Sequence, residues 1–152
     1  MNYLGIDPGQ RGGIALIDAD GFAVEAIRFP GDLASVAEYI RSLHVDYTIR
    51  LAALEKVSSR PGQGVSSTFK FGANFGAYLG ALAALGIPHT LVTPRSWQKE
   101  MLDAGTGDTK ARSLNAARRL FPDVEMKYAA DDGIADALHL ARWARKQIMN
   151  GG

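Results

Sequence analysis

No cysteine occurs among the 152 residues. That excludes disulfides and thiolate metal sites, and it leaves the redox compartment open. Long apolar runs are missing too: the longest, GAYLGALAALGI, falls short of the roughly 18 residues a membrane span needs. The first residues are already strand-like, so no signal peptide is expected and the cytoplasm is the default location. Neither sign of charge dominates, since 17 basic residues face 16 acidic ones for a net charge of +1. Net charge alone therefore says nothing about nucleic acid. No repeat, low-complexity tract or linker divides the chain, and its length suits a single domain, 1–152, with a real core.

The distribution of charge says more than its sum. From Arg50 to Lys70, Glu55 is the only acid beside Arg50, Lys56, Arg60 and Lys70. Lys110, Arg112, Arg118 and Arg119 fall within about three helical turns. Solvated helix faces explain such runs as well as a polyanionic partner does.

Apolar patterning predicts strands over 2–7, 12–19 and 22–29, with Asp20-Gly21 as a hairpin turn between the last two. DLASVAEYIRSL carries Leu33, Val36, Ala37, Ile40 and Leu43 at helical spacing. LAALEKV, 51–57, reads as a strand buried on both faces. The polar, glycine-rich stretch 58–67 reads as a mobile loop, followed by a helix over 68–85 and a strand over 89–93. Pro94 starts a short helix. The loop DAGTGD, 103–108, precedes a helix over 109–121 that Pro122 ends, and a last helix begins near Asp131 or Asp132. A three-strand meander followed by alternating strands and helices gives an α/β layer fold.

Within that order, LGIDPGQRGGIALID ends an apolar strand on Asp7 and turns at once through Pro8-Gly9. Turn chemistry alone would account for the aspartate. Other acids share the pattern, however. Glu55 stands near the end of the fourth strand, and DDGIADALHLARWA carries Asp131, Asp132 and Asp136. Asp132 and Asp136, four apart, share a helix face. In a sheet ordered 3-2-1-4-5, Asp7 and Glu55 end neighbouring strands, where open α/β sheets place their sites. Two carboxylates about 5 Å apart repel by roughly 3 kcal/mol at an effective dielectric near 20. A cluster of them calls for cations. All-oxygen ligation suits Mg²⁺ or Mn²⁺, and a pair of such ions serves in-line phosphodiester hydrolysis.

LGIDPGQRGGIALID, then ALEKV, then DDGIADALHLA, in this order and spacing, resemble the RuvC family of Holliday junction endonucleases, of the ribonuclease H-like superfamily. The resemblance runs from about residue 3 to residue 143. It implies a ribonuclease H-like fold, a five-stranded mixed sheet of order 3-2-1-4-5 flanked by helices. It also implies a homodimer that grips four-way junction DNA and makes paired nicks leaving 5′-phosphates, with Mg²⁺ or Mn²⁺, two ions per site, and with no nucleotide cofactor and no membrane. Asp7, Glu55 and Asp136 match three of the family's acids. The fourth often lies three residues before the last in bacterial members, where this chain has Gly133. Mitochondrial, poxviral and phage relatives place it four before, which favours Asp132 and a phage-type member; Asp131 stays an alternative. Catalytic and metal-binding roles thus fall on Asp7, Glu55, Asp132 and Asp136.

For DNA contact the resemblance points to Lys110, in GTGDTKARS, with Arg112 beside it, and to the loop after Glu55 with Arg60, Lys70 and Phe69. Phe69 would be a wedge between bases, although Phe69 and Phe71 also suit a core or an interface. Gly72, Gly76 and Gly80, each followed by alanine, form a small-residue face that fits either a dimer helix or packing on the sheet. His139 reads as a partly buried helical histidine and Trp97 as a packing anchor. Actin-like phosphotransferases share the Ile-Asp-x-Gly strand end but need two such domains. A ribonuclease H-like nuclease acting on RNA or on other branched DNA is the alternative within the fold, and a catalytically silent junction binder would not need all the acids.

Overall fold

A computed structural model describes residues 1–105 and 107–151. Thr106, in the predicted loop 103–108, and Gly152 lie outside the described residues. The strands are β1 (Asn2–Asp7), β2 (Gly13–Asp18), β3 (Ala23–Arg28), β4 (Ile49–Glu55) and β5 (His89–Val92). They form one sheet of order β3-β2-β1-β4-β5, as expected. β1 pairs antiparallel with β2 and parallel with β4, so Asp7 and Glu55 end adjacent parallel strands. The β2–β3 turn is organised by Asp18, whose Oδ1 accepts the N–H groups of Asp20, Gly21 and Phe22, with Gly21 at φ +97°.

Helices α1 (Leu33–Asp46) and α2 (Val65–Ala84) cover one face of the sheet. Their buried residues Val36, Ile40, Tyr78 and Leu82 pack with Leu4, Ile6, Ile14 and Leu16. Helices α3 (Pro94–Met101), α4 (Thr109–Leu120) and α5 (Asp132–Gly151) cover the other, where Trp97, Leu114, Leu138 and Ala141 meet Tyr3, Ala15, Ile17 and Ala53. Three of the helices begin where a side chain supplies a missing acceptor. Asp32 caps α1 at Ser35 N–H, Thr93 caps α3 at Ser96 N–H ahead of Pro94, and Asp108 caps α4 at Lys110 N–H. No helix among the described residues is long and apolar enough to cross a membrane.

Several boundaries differ from the pattern-based ones, most by a residue or two. α2 begins at Val65, so the last three residues of the stretch 58–67 are helical. The polar Ser66 and Ser67 hid that turn, because it faces solvent and needs no apolar side chains. α1 runs on to Asp46, and β4 ends at Glu55, whose pairing with Val92 of β5 is the last in its ladders.

α5 sits unusually close to the sheet, and glycines make this possible. A Cβ on Gly5 of β1 would lie 1.9 Å from the Ala137 carbonyl oxygen of α5. A Cβ on Gly133 would lie 2.1 Å from the Arg11 carbonyl oxygen, and one on Gly13 would lie 2.8 Å from the Gly133 oxygen. These obstacles are backbone atoms and cannot swing aside. Gly133→Ala is therefore expected to destabilise the fold by about 1–3 kcal/mol, the usual range for overpacking. Urea unfolding checks this, and an unchanged midpoint would show that α5 can lift off without penalty.

Candidate active site

The close approach of α5 brings its first turns over the C-terminal ends of β1 and β4. Four carboxylates converge there: Asp7 from β1, Glu55 from β4, and Asp132 and Asp136 from α5. Asp7 is anchored through Oδ1, which accepts Gly9 N–H at 3.2 Å across the Pro8 turn. Glu55 Oε2 accepts the indole N–H of Trp97 at 2.6 Å, and Asp136 Oδ1 accepts the Ser113 hydroxyl at 2.5 Å. Lys110 Nζ lies 3.6 Å from Asp132 Oδ2.

Burial shifts three of these acids upward, each with a different remainder. Asp7 rises to about 6, mainly through burial and further through the charge of Asp132, against the Gly9 N–H and Lys110. Glu55 rises to about 8 through burial and then the charge of Asp7, in spite of the Trp97 bond. Asp136 rises to about 7 through burial, opposed by Ser113 and reinforced by Asp7 and Asp132. The four acids thus feel one another. Among the described residues, though, no three of them close into the tight geometry that wraps a single ion. Trp97, Ser113 and Lys110 each engage one of them.

Behind the acids lies a buried scaffold. The rings of Trp97 and His139 stack with centroids 5.9 Å apart and planes 17° from parallel. His139 Nε2 lies 2.9 Å from the Ser113 carbonyl oxygen, and Nδ1 lies 3.0 Å from Arg142 Nη1. Nε2 therefore donates and Nδ1 accepts, which fixes one neutral tautomer. Burial pushes the His139 pKa down to about 4, with the Arg142 charge acting in the same direction. The histidine is fully buried, rather than partly so as its helical position suggested. Trp97 packs as expected and also holds Glu55. Because β5 borders β4, a helix opening directly after β5 stands beside the end of β4, and that topology was the available clue. Nothing in the sequence signals Ser113.

Asp131 and Asp132 separate cleanly. Asp131 closes the single 3-10 turn Ala129–Asp131, accepting Tyr128 N–H at 2.9 Å and pairing with Arg28 at 2.5 Å. Burial opposes its ionisation, but the Tyr128 N–H and the Arg28 guanidinium hold its pKa below the usual carboxylate value. Asp131 is thus occupied elsewhere, and Asp132 faces the other acids.

The predicted contact residues divide in the same way. Arg60 lies in a cleft with Glu55, and Lys70 lies in a second cleft with Gly9. Phe69 is 78% exposed on α2. Arg112 is not brought to the acids: its guanidinium donates to the Asp103 carbonyl oxygen, pinning the segment between α3 and α4.

No protein-family model and no curated protein sequence matches this chain. Solved structures do. Thermus thermophilus RuvC superposes with a TM-score of 0.67 at 20% identity, covering 97% of each chain. The T. thermophilus RuvC in complex with a Holliday junction substrate gives 0.66 at 18% identity, covering 93% of this chain and 90% of that one. At such identities the likeness establishes the fold, which is the ribonuclease H-like one.

The upward shifts carry a consequence for stability in chelator. From about pH 6.5 to 8 the folded chain keeps protons on Glu55 and Asp136 that the unfolded chain has released, so stability falls as pH rises. His139 acts oppositely, because the unfolded chain protonates it more readily, but only between about pH 4 and 6.5. Thermal unfolding is expected to show a midpoint declining from pH 6.5 to 8, and Glu55→Gln should flatten that decline. A flat profile in the parent protein would mean that these acids ionise freely.

Proposed function

We propose that the chain is a structure-specific endonuclease, a single RuvC-like domain over 1–152, that resolves four-way DNA junctions by metal-dependent phosphodiester hydrolysis. The observation that carries this reading is the cluster of Asp7, Glu55, Asp132 and Asp136 at the ends of β1 and β4, on a fold shared with a junction-bound resolvase. The donors are all oxygens, half-buried and short of countercharge, which fits Mg²⁺ or Mn²⁺. Two such ions would be held by these four residues. Bound there, they would supply Lewis-acid stabilisation of phosphate charge and an activated water.

The chain's own side chains have separable tasks. Trp97 and Ser113 each fix one oxygen of Glu55 and Asp136, so the outer oxygens are oriented in advance. Lys110, exposed beside Asp132, offers a positive charge to an arriving phosphate. Hydrolysis adds a water oxygen to phosphorus and breaks the bond to the 3′ oxygen, leaving a 5′-phosphate and a 3′-hydroxyl.

Two symmetric nicks require two sites, and α2 supports a homodimer. A Cβ on Gly72, Gly76 or Gly80 would meet nothing within 4 Å, so this face is free for close approach of a second helix. Asp132, four residues before Asp136, supports a phage-type enzyme working in the cytoplasm of a bacterial host.

The deciding assay offers a synthetic four-way junction, a linear duplex and an RNA–DNA hybrid, each with Mg²⁺, Mn²⁺ or chelator. Paired nicks confined to the junction and lost in chelator are expected. Asp7→Asn should lower cleavage at least ~100-fold, beyond the usual loss for a residue that merely supports a metal ligand, while junction binding survives. Cutting of the hybrid alone would assign the site to RNA instead. In sedimentation, Gly76→Leu is expected to convert a dimer to monomers; an unaltered dimer would move the interface away from α2.

A further inference from the structure

The site is flanked by two clefts that share a waist, and their lining defines a path. One, of about 580 Å³, is lined by Glu55, Lys56, Ser58, Arg60, Gln63 and Phe71 among others. The second, of about 710 Å³, lies between the turn after β1 and the first turns of α2, and includes Gly9, Gln10, Arg11, Gln63, Lys70 and Phe71. Gln63 and Phe71 belong to both. The acids lie along the same line. Glu55 borders the first cleft, and Gly9 of the second donates its N–H to Asp7.

Both clefts carry basic side chains. Arg28, Arg41, Lys110, Arg119, Lys127 and Lys146 all stand within 4.0 Å of a carboxylate. Among the described residues Arg11, Lys70, Lys56 and Arg60 form no ion pair, a trait shared by basic residues elsewhere such as Arg50 and Arg95; what sets these four apart is their place, two in each of the clefts that flank the acids. Arg11 is also held firmly, because its backbone oxygen is the atom against which Gly133 packs. A cation on a fixed backbone, lining a cleft beside a cluster of acids, suits an anionic chain that must pass those acids at a fixed height.

We infer that one continuous nucleic-acid strand runs from the Arg11–Lys70 cleft, across Asp7 and Glu55 at the Gln63–Phe71 waist, into the Lys56–Arg60 cleft. Arg11 and Lys56 are phosphate-binding residues on opposite sides of the cleaved bond. The inference rests on the nuclease reading above and adds the direction in which the strand crosses the site.

Fluorescence anisotropy in chelator, with a labelled four-way junction and a labelled oligo-dT strand over a salt series, tests it. Arg11→Gln and Lys56→Gln are each expected to weaken binding and to lower the slope of log Kd against log salt by about 1 per engaged protomer. Arg11→Lys should keep the slope. Arg41→Gln, whose partner Glu38 lies on α1, should leave affinity and slope unchanged. If the parent prefers the junction but Arg11→Gln keeps its slope while Lys56→Gln loses it, the strand is confined to the Glu55 side and the continuous path is wrong. If the parent shows no preference for the junction, yet both variants lower the oligo-dT slope, the path stands and the junction assignment fails.

Discussion

Everything at the candidate site depends on how closely α5 lies on the sheet. The contact is backbone to backbone, through Gly5 against Ala137 and through Gly133 against Arg11 and Gly12. An ordinary helix–sheet layer keeps a side chain's thickness between its elements. Here that thickness is absent at two points, and α5 drops far enough for Asp132 and Asp136 to share charge with Asp7. The apolar stripe of α5, with Leu138 and Ala141 fully buried, supplies the driving force. The glycines set the distance.

That distance has an electrostatic consequence. Acids brought together under partial burial repel and resist ionisation, so the site is a local liability that packing elsewhere must offset. The scaffold behind it answers with neutral groups. His139, kept uncharged by burial and by Arg142, presents a ring to Trp97 and an N–H to the Ser113 carbonyl, and adds no positive charge that would quench the acids. Trp97 and Ser113 are donors without formal charge. Orientation is thereby separated from charge neutralisation, to which Lys110 contributes the nearest positive charge.

Much of this was legible in the chain itself, for stated reasons. The strands and their ends on Asp7 and Glu55 were legible because strand ends and turn residues are local signals, whereas the order of the sheet came from the family resemblance. Asp7, Glu55 and Asp132 were legible for the same reason, as each ends a strand or opens a helix, and Asp136 lies one turn further along α5. What could not be read was side-chain company. Ser113 is an ordinary helical serine until α4 and α5 pack, and Arg112 belongs to a basic run until its guanidinium is found on Asp103. The start of α2 escaped because Val65 is 88% exposed and contributes nothing to an apolar face.

The position of the fourth acid follows from the same contact that opened this synthesis. An acid at 133, one turn before Asp136, would need a Cβ where the Arg11 carbonyl oxygen stands, 2.1 Å away. An acid at 131 lies in the preceding 3-10 turn, where Tyr128 N–H and Arg28 claim it. Only position 132 both escapes the glycine contact and shares the face of Asp136. The place of Asp132 in the cluster is therefore a geometric consequence of resting α5 on the β1–β2 turn. A chain that widened this contact could carry its acid at 133, but it would give up the rigid seat that the same contact gives Arg11.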